Sequence, residues 1–319
     1  VPSRLDIVVL DDGAPAHPTA STLRPCGNTV VAQCNWVLEE GDPGPLCMSC
    51  RLTRTRPADD DPEGLALFAR AEGAKRRLIF QLLDLGLPIG DDLAFDLLSS
   101  RTGPVVTGHN DGVITIDLAE SDDSRRERRR AELGEPYRTM LGHFRHEIGH
   151  YYWPILGEQT GEIEHARSLF GDDRVDYEGA LQRHYEQGPP PDWTDRYVSA
   201  YATMHPWEDW AETFAHYLHI RDTLETAAAF GLVVAGPEAA PDGSLSSVPV
   251  TESADLPFAT IIADWLPLTY ALNAINRSMG YDDLYPFTLA PTVIEKLAFV
   301  HDRVRAAAHQ AHVPATPRP

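Results

Sequence analysis

The chain has 319 residues, of which 27 are basic and 48 acidic, for a formal charge of −21. That balance excludes nucleic acid as the main partner, because phosphate contacts need a basic face, and it argues against an anionic membrane surface. Hydrophobic residues make up 43% of the chain, enough for a real core, while four cysteines are too few for a disulfide scaffold.

Residues 1 to 57 read as a small β-rich module. Arg4–Leu10 and Asn28–Leu38 are β-branched and strand-like, with Pro, Gly and Asp between them. Val1–Pro18 shows no charged segment followed by an apolar one, so a soluble, cytoplasmic protein is expected. Cys26, Cys34, Cys47 and Cys50 all lie in this module, spaced C-x7-C-x12-C-x2-C. Four thiolates suit tetrahedral zinc at a closed structural site. Four reduced, buried cysteines, or a redox pair at Cys47 and Cys50, are the competing readings. An acidic seam, Pro57–Pro62, then marks a boundary between a 1–57 module and a 58–319 domain.

Beyond the seam the pattern turns helical. Glu63–Leu87 carries apolar residues at helical spacing. Val105–Leu118 reads as two short strands around an Asn110-Asp111-Gly112 turn. Ser121–Leu133 reads as a charged, solvated helix, with Arg125–Arg130 on its surface rather than as an RNA patch. Further helices are predicted at Tyr137–Leu156, Asp176–Gln187, Trp193–Thr203, Trp207–Phe230, Pro257–Met279 and Pro291–His312. The apolar window Leu256–Ile275 has one charge, Asp264, near its middle and Pro267 close behind. It reads as a buried core helix with a break, not a membrane span. Gly236–Asp255 is a long loop, a lid or an insertion, and Val313–Pro319 a frayed tail. The expected class is α+β, predominantly helical.

The sharpest feature is His146-Glu147-Ile148-Gly149-His150, an HExxH pattern. Residues four apart share a helix face, so both imidazoles can reach one ion while Glu147 stands beside it as a base. The apolar neighbours make a satisfied core pair the bland alternative. A catalytic zinc needs a third protein ligand and an open position. The extension HExxHxxGxxH is absent, since positions 153 and 156 are Trp and Leu. A later helix, His205–Ile220, supplies carboxylates instead, with Pro206 suited to its first turn. Glu208 is the expected ligand and Glu212, one turn on, the carboxylate that orients a ligating histidine; Asp209 and Glu212 remain rivals for the ligand role. His143 is a candidate for support of the site or for substrate binding, with a packing role as the equal alternative, and His205 or Tyr201 for an oxyanion donor. Asp173 and Asp176 read as ligand orienters or, more simply, a helix cap. The edge of the 105–118 hairpin offers a place for an extended peptide.

GHFRHEIGHYYW, FGDDRVDYEGALQRHY, GPPPDW, VSAYATMHPWEDWAETFAHYLHI and the earlier CNW…LCMSCRLTR together resemble the bacterial zinc-binding metallopeptidase family of zincin-like fold, from about Cys26 to Phe230. The resemblance implies zinc dependence, a zinc-ribbon-like N-terminal region, His146 and His150 as ligands and Glu147 as base. The expected activity is hydrolysis of a peptide or amide substrate at a catalytic zinc, with a structural zinc on the four cysteines. A small-molecule amidase, an amide-forming tailoring enzyme and a non-catalytic zinc-binding regulator are the alternatives.

Overall fold

A computed structural model describes residues 23–101, 103–121, 139–158, 161–235, 247–250 and 256–311. The expected strand Arg4–Leu10, the charged helix beyond Ser121 and the tail Val313–Pro319 lie outside the described residues.

Over its described residues, 23–57, the N-terminal module is made mostly of turns. Its strands β1 (Arg24–Pro25) and β2 (Val37–Leu38) are two residues long and pair antiparallel. The longer strand expected over Asn28–Leu38 is replaced by turns at 27–32. Cys34 must fold back beside Cys26, and Gln33 takes a left-handed φ of 48° to bring it there. A short helix, α1 (Met48–Arg51), follows Cys47, and β3 (Thr53–Thr55) leaves the module.

β3 does not stay with the cysteines. It joins a four-stranded sheet of order β3-β4-β6-β5, with β4 (Ala94–Leu98), β5 (Gly108–Asn110) and β6 (Val113–Asp117). β3, β4 and β6 run parallel; β5 turns back antiparallel to β6 and forms the outer edge. The predicted turn is present: Asp111 (φ 47°) and Gly112 (φ 81°) both adopt left-handed backbone, as a tight two-residue hairpin requires.

Helix α2 (Pro62–Asp84) begins on Asp61, whose carboxylate accepts from Gly64 N at 2.9 Å. Its face of Phe68, Ala71, Leu78, Ile79 and Leu82 shares one core with Phe95, Leu97, Ile114 and Ile116 of the sheet. Against that layer lie α3 (Met140–Tyr152), continued by a π turn (Trp153–Glu158), and α6 (Pro206–Ala229). The smaller helices α4 (Ile163–Phe170) and α5 (Tyr177–Gln187) lie between them in sequence. Helix α4 has no counterpart among the predicted elements, because its eight residues span barely two turns of pattern.

Two expectations are corrected. Trp193–Thr203 is not a helix but two isolated 3₁₀ turns, at Trp193–Asp195 and Tyr201–Thr203. The Arg196 carbonyl, which a helix would use internally, instead accepts a hydrogen bond from Lys296 Nζ at 2.7 Å. Helix α7 (Phe258–Ser278) runs unbroken through Pro267 and is only half-buried. Phe258, Ile261, Ile262, Trp265 and Leu268 face the core, while Leu266, Tyr270 and Ile275 are exposed. By length and composition alone it is long and apolar enough to cross a bilayer. Within the expected 236–255 loop, Ser247–Pro249 forms a strand, β8, pairing with β7 (Val233–Ala235). Helix α8 (Pro291–Ala311) closes the fold against α6.

Candidate metal centre

The site lies where α3 crosses α6. Thr139 caps α3 by accepting from Gly142 N at 2.9 Å, and His205 caps α6 by accepting from Trp207 N at 3.1 Å. Trp210 Nε1 donates to the Gly149 carbonyl at 2.8 Å and fixes the height of one helix against the other. Glu208 then faces the two histidines of α3.

Three atoms converge. His146 Nε2 and Glu208 Oε2 are 3.0 Å apart, His150 Nε2 and Glu208 Oε2 3.4 Å, and the two imidazole nitrogens 3.2 Å. His146 Nδ1 is 2.7 Å from Glu212 Oε1, so Nδ1 carries a proton and Nε2 is the nitrogen turned toward Glu208. Nitrogen and an ionised oxygen at these distances need a proton or a metal cation between them, and a metal can replace the proton at all three atoms at once. Bonds of zinc to nitrogen and oxygen near 2.1 Å in a tetrahedron put ligand atoms about 3.4 Å apart. The observed spacing fits that shape. Among the described residues, buried Glu208 Oε2 faces these two imidazole nitrogens and has no other hydrogen-bond partner, as expected of an oxygen suited to a metal.

The electrostatics agree. Burial alone would raise the Glu208 carboxyl, but the charge of His150 and bonds to both imidazoles hold it well below the carboxylate range. Burial alone would lower His146, yet Glu208 and Glu212 raise it well above the usual imidazole value. The pocket stabilises positive charge, and it does so at one point.

Of the three rival carboxylates, Glu208 is the one whose oxygen joins the two imidazoles. Glu212 grips the far nitrogen of His146, as an orienting carboxylate does. Asp209 points the other way and meets Lys296 Nζ of α8 at 2.6 Å, with both side chains buried. Desolvation raises the Asp209 carboxyl to about 7 against the pull of that lysine.

Glu147 is buried beside the imidazoles. Burial would raise its carboxyl, but a 3.2 Å contact with His143 and the charges of His146 and His143 lower it. His143 also bonds Glu120 through Nδ1. Although desolvation works against it, these two carboxylates raise His143 to about 9. The Tyr201 ring lies 6.0 Å from that of His146. Desolvation, then the charge of Glu208, pushes its phenol far above the ordinary range, so it stays protonated.

His205 is corrected. Its Nδ1 caps α6 and its Nε2 donates to the Val175 carbonyl at 3.1 Å, so neither nitrogen is left to donate to a substrate. Asp176 caps α5 by accepting from Gly179 N at 3.1 Å, and Asp173 accepts from Arg167 Nε at 2.6 Å. Neither touches the three convergent atoms.

Sequence reasoning missed Tyr177, whose hydroxyl donates to Glu208 Oε1 at 2.9 Å and leaves Oε2 facing the two imidazoles. Its position directly after the Asp176 cap was the available signal. It also missed Glu120, 23 residues before its partner and on a different element.

The second cluster is the four cysteines, all buried and unpaired by disulfides. Their sulfurs lie within 4.8 Å of one another, with Cys34 and Cys47 at 3.7 Å. Tetrahedral zinc–thiolate bonds of 2.3 Å would set sulfurs about 3.8 Å apart. Side-chain hydrogen bonds from Cys47 and Cys50 lower the Cys34 thiol, while the same contacts raise the other two. Protons are thus in competition for a cluster that a divalent ion would satisfy at once.

An HExxH helix with a carboxylate from a second helix, and a separate cluster of four thiols, are two groups in one chain that could each hold a metal ion. Residues 64–303 match the family described as "Putative zinc-binding metallo-peptidase", and residues 2–61 match a zinc-ribbon domain. The chain belongs to that metallopeptidase family. It is 55% identical over 284 residues to Rv2568c of Mycobacterium tuberculosis and to Mb2598c of Mycobacterium bovis, both named uncharacterized proteins. Each alignment covers 86% of this chain and 81% of the relative. No solved structure matches.

Proposed function

We propose that this chain is a zinc peptidase of the gluzincin type, in which His146, His150 and Glu208 hold the ion and Glu147 is the general base. The observation that carries this reading is the convergence of three lone-pair atoms at 3.0–3.4 Å, with Glu212 fixing the tautomer of His146. Bound by His146, His150 and Glu208, zinc would supply the Lewis acidity that activates water near neutral pH and polarises a carbonyl.

The remaining work falls to side chains of this chain. Glu147, kept ionised by its neighbours, accepts the proton of the attacking water and returns it to the leaving amine. Tyr201, kept protonated by burial, offers an O–H to the developing oxyanion. Tyr177 keeps the Glu208 carboxylate from rotating. β5 lies against α3, where His109 meets Tyr151 at 6.1 Å between ring centroids, and as the end strand of its sheet it offers an edge to which an extended peptide would add. Four free cysteines suited to zinc support a reducing, cytoplasmic setting.

The test is Glu147→Gln. The variant keeps its zinc and loses cleavage of a quenched fluorescent peptide library by a factor of about 100 or more. Equal turnover by both proteins would reject the mechanism. Cleavage of a small amide with no cleavage of the library would move the assignment to an amidase.

A further inference from the structure

We propose that His143 is a positioning residue for the general base, held by Glu120 on one ring nitrogen so that the other fixes the carboxylate of Glu147. The inference rests on the reading of Glu147 as base and adds to it the device that keeps that base in place.

The chain of contacts is continuous. The Asp117 amide donates to Thr107 Oγ1 at 3.2 Å, and Thr107 lies 3.4 Å from Glu120 Oε1. Glu120 sits on the 3₁₀ turn Leu118–Ser121 that ends β6, and its Oε2 bonds His143 Nδ1. His143 Nε2 reaches Glu147 Oε1 at 3.2 Å, one helical turn on. Two carboxylates are acceptors only, so both ring nitrogens donate and the ring is an imidazolium. The line thus runs from the backbone of the sheet to one oxygen of Glu147.

The physical need is specific. Glu147 directly follows His146, and a glutamate has three rotatable bonds. A loose carboxylate this close to the ligands would turn toward the ion and fill the position that water must take. Pinning Oε1 from the far side holds the carboxylate back and leaves Oε2 to accept a proton. A histidine kept only for packing would need one partner. This one spends both nitrogens on carboxylates, and one of those is the base.

The experiment compares His143→Ala, His143→Gln, Glu120→Gln and Glu147→Gln in the zinc-loaded full chain on the quenched fluorescent peptide library. His143→Ala should lower kcat by about 100-fold with KM changed by less than about twofold and zinc content unchanged. Added imidazole should restore part of that loss. His143→Gln, which retains a donor toward Glu147, should lose only about tenfold, with Glu120→Gln between the two. A readout independent of turnover is the 15N spectrum of histidine-labelled protein, with and without zinc. It should show a ring protonated on both nitrogens that is absent in His143→Gln and shifted in Glu120→Gln and Glu147→Gln.

Full kcat in His143→Ala, loss of the catalytic zinc in that variant, or a singly protonated His143 ring would each overturn the proposal. If Glu147→Gln matches wild type, the hydrolase reading fails instead, and the spectrum still decides whether the three side chains are linked.

Discussion

A Cβ placed on Gly149 would stand 2.9 Å from Ala211 Cα and 3.2 Å from the Ala211 carbonyl oxygen. The two helices of the metal centre therefore meet backbone to backbone, one residue before His150 and one residue before Glu212. Glycine is required there for space, not for its backbone freedom. Gly149→Ala must push α3 and α6 apart, at a cost of about 1–3 kcal/mol for forced overpacking. The same movement widens the gaps between His146, His150 and Glu208. The expected result is a lower urea midpoint and zinc lost from this centre while the cysteine zinc stays, read by metal content after dialysis against a weak chelator. Wild-type stability with full zinc would show that the helices can part freely.

Asp209 and Glu208 are neighbours with opposite duties, and substitution separates them. Glu208→Gln removes an anionic oxygen from the convergent set, so zinc at this centre is expected to fall to background. Asp209→Asn leaves the buried ammonium of Lys296 without its charge partner, which costs about 3–5 kcal/mol. That variant should keep its zinc when folded. Replacing the pair together, Asp209→Leu with Lys296→Met, should recover most of the lost stability. Thermal unfolding with metal analysis on the same samples checks both halves.

How far the sequence could be read follows from the range of each interaction. HExxH was legible because its geometry is local: one helix places both imidazoles. Glu208 followed from Pro206 and the helical spacing after it. Asp209 could be separated from Glu208 only by Lys296, which lies 87 residues on and arrives with α8. Tyr177 and Glu120 were hidden for the same reason, since their partners belong to other elements. The 108–117 hairpin was legible from its turn residues. The strand expected over Asn28–Leu38 failed because four sulfurs overrule β propensity in a short segment. Pro267 was read as a break, yet packing of Ile261, Trp265 and Leu268 carries the helix through it.

The cysteine cluster is tied to the sheet, and its loss should be felt there. Arg76 of α2 donates to the carbonyls of Ala32 and Gln33 at 3.0 and 3.1 Å, between two of the cysteines. On the other side of the cluster, Phe95 N donates to Leu52 O at 2.8 Å, just before β3 pairs with β4. Cys47→Ser is expected to lose one zinc per chain and keep the other. Amide exchange should then rise at Phe95 and along β3, while the core of α2 stays protected. Unchanged protection at Phe95 would mean that the ribbon and the sheet are held together without the metal.

Acid sensitivity should come in part from His301, which belongs to neither candidate metal cluster. Its Nε2 donates to the Leu256 carbonyl at 3.0 Å, so the neutral Nδ1 accepts from Tyr217, 3.1 Å away. Burial, then the charges of Arg221 and Arg305, pushes this imidazole down to about 4. An unfolded histidine titrates near about 6.5, so between these values the unfolded chain binds the extra proton. The contribution of His301 is therefore complete above pH 6.5 and lost as pH falls towards 4. His301→Gln removes the proton site and should flatten the slope of urea midpoint against pH in that window. Because zinc release also follows acid, the difference between variant and wild type, both with chelator present, is the quantity to read. Parallel slopes for the two proteins would show that His301 takes no part in the acid transition.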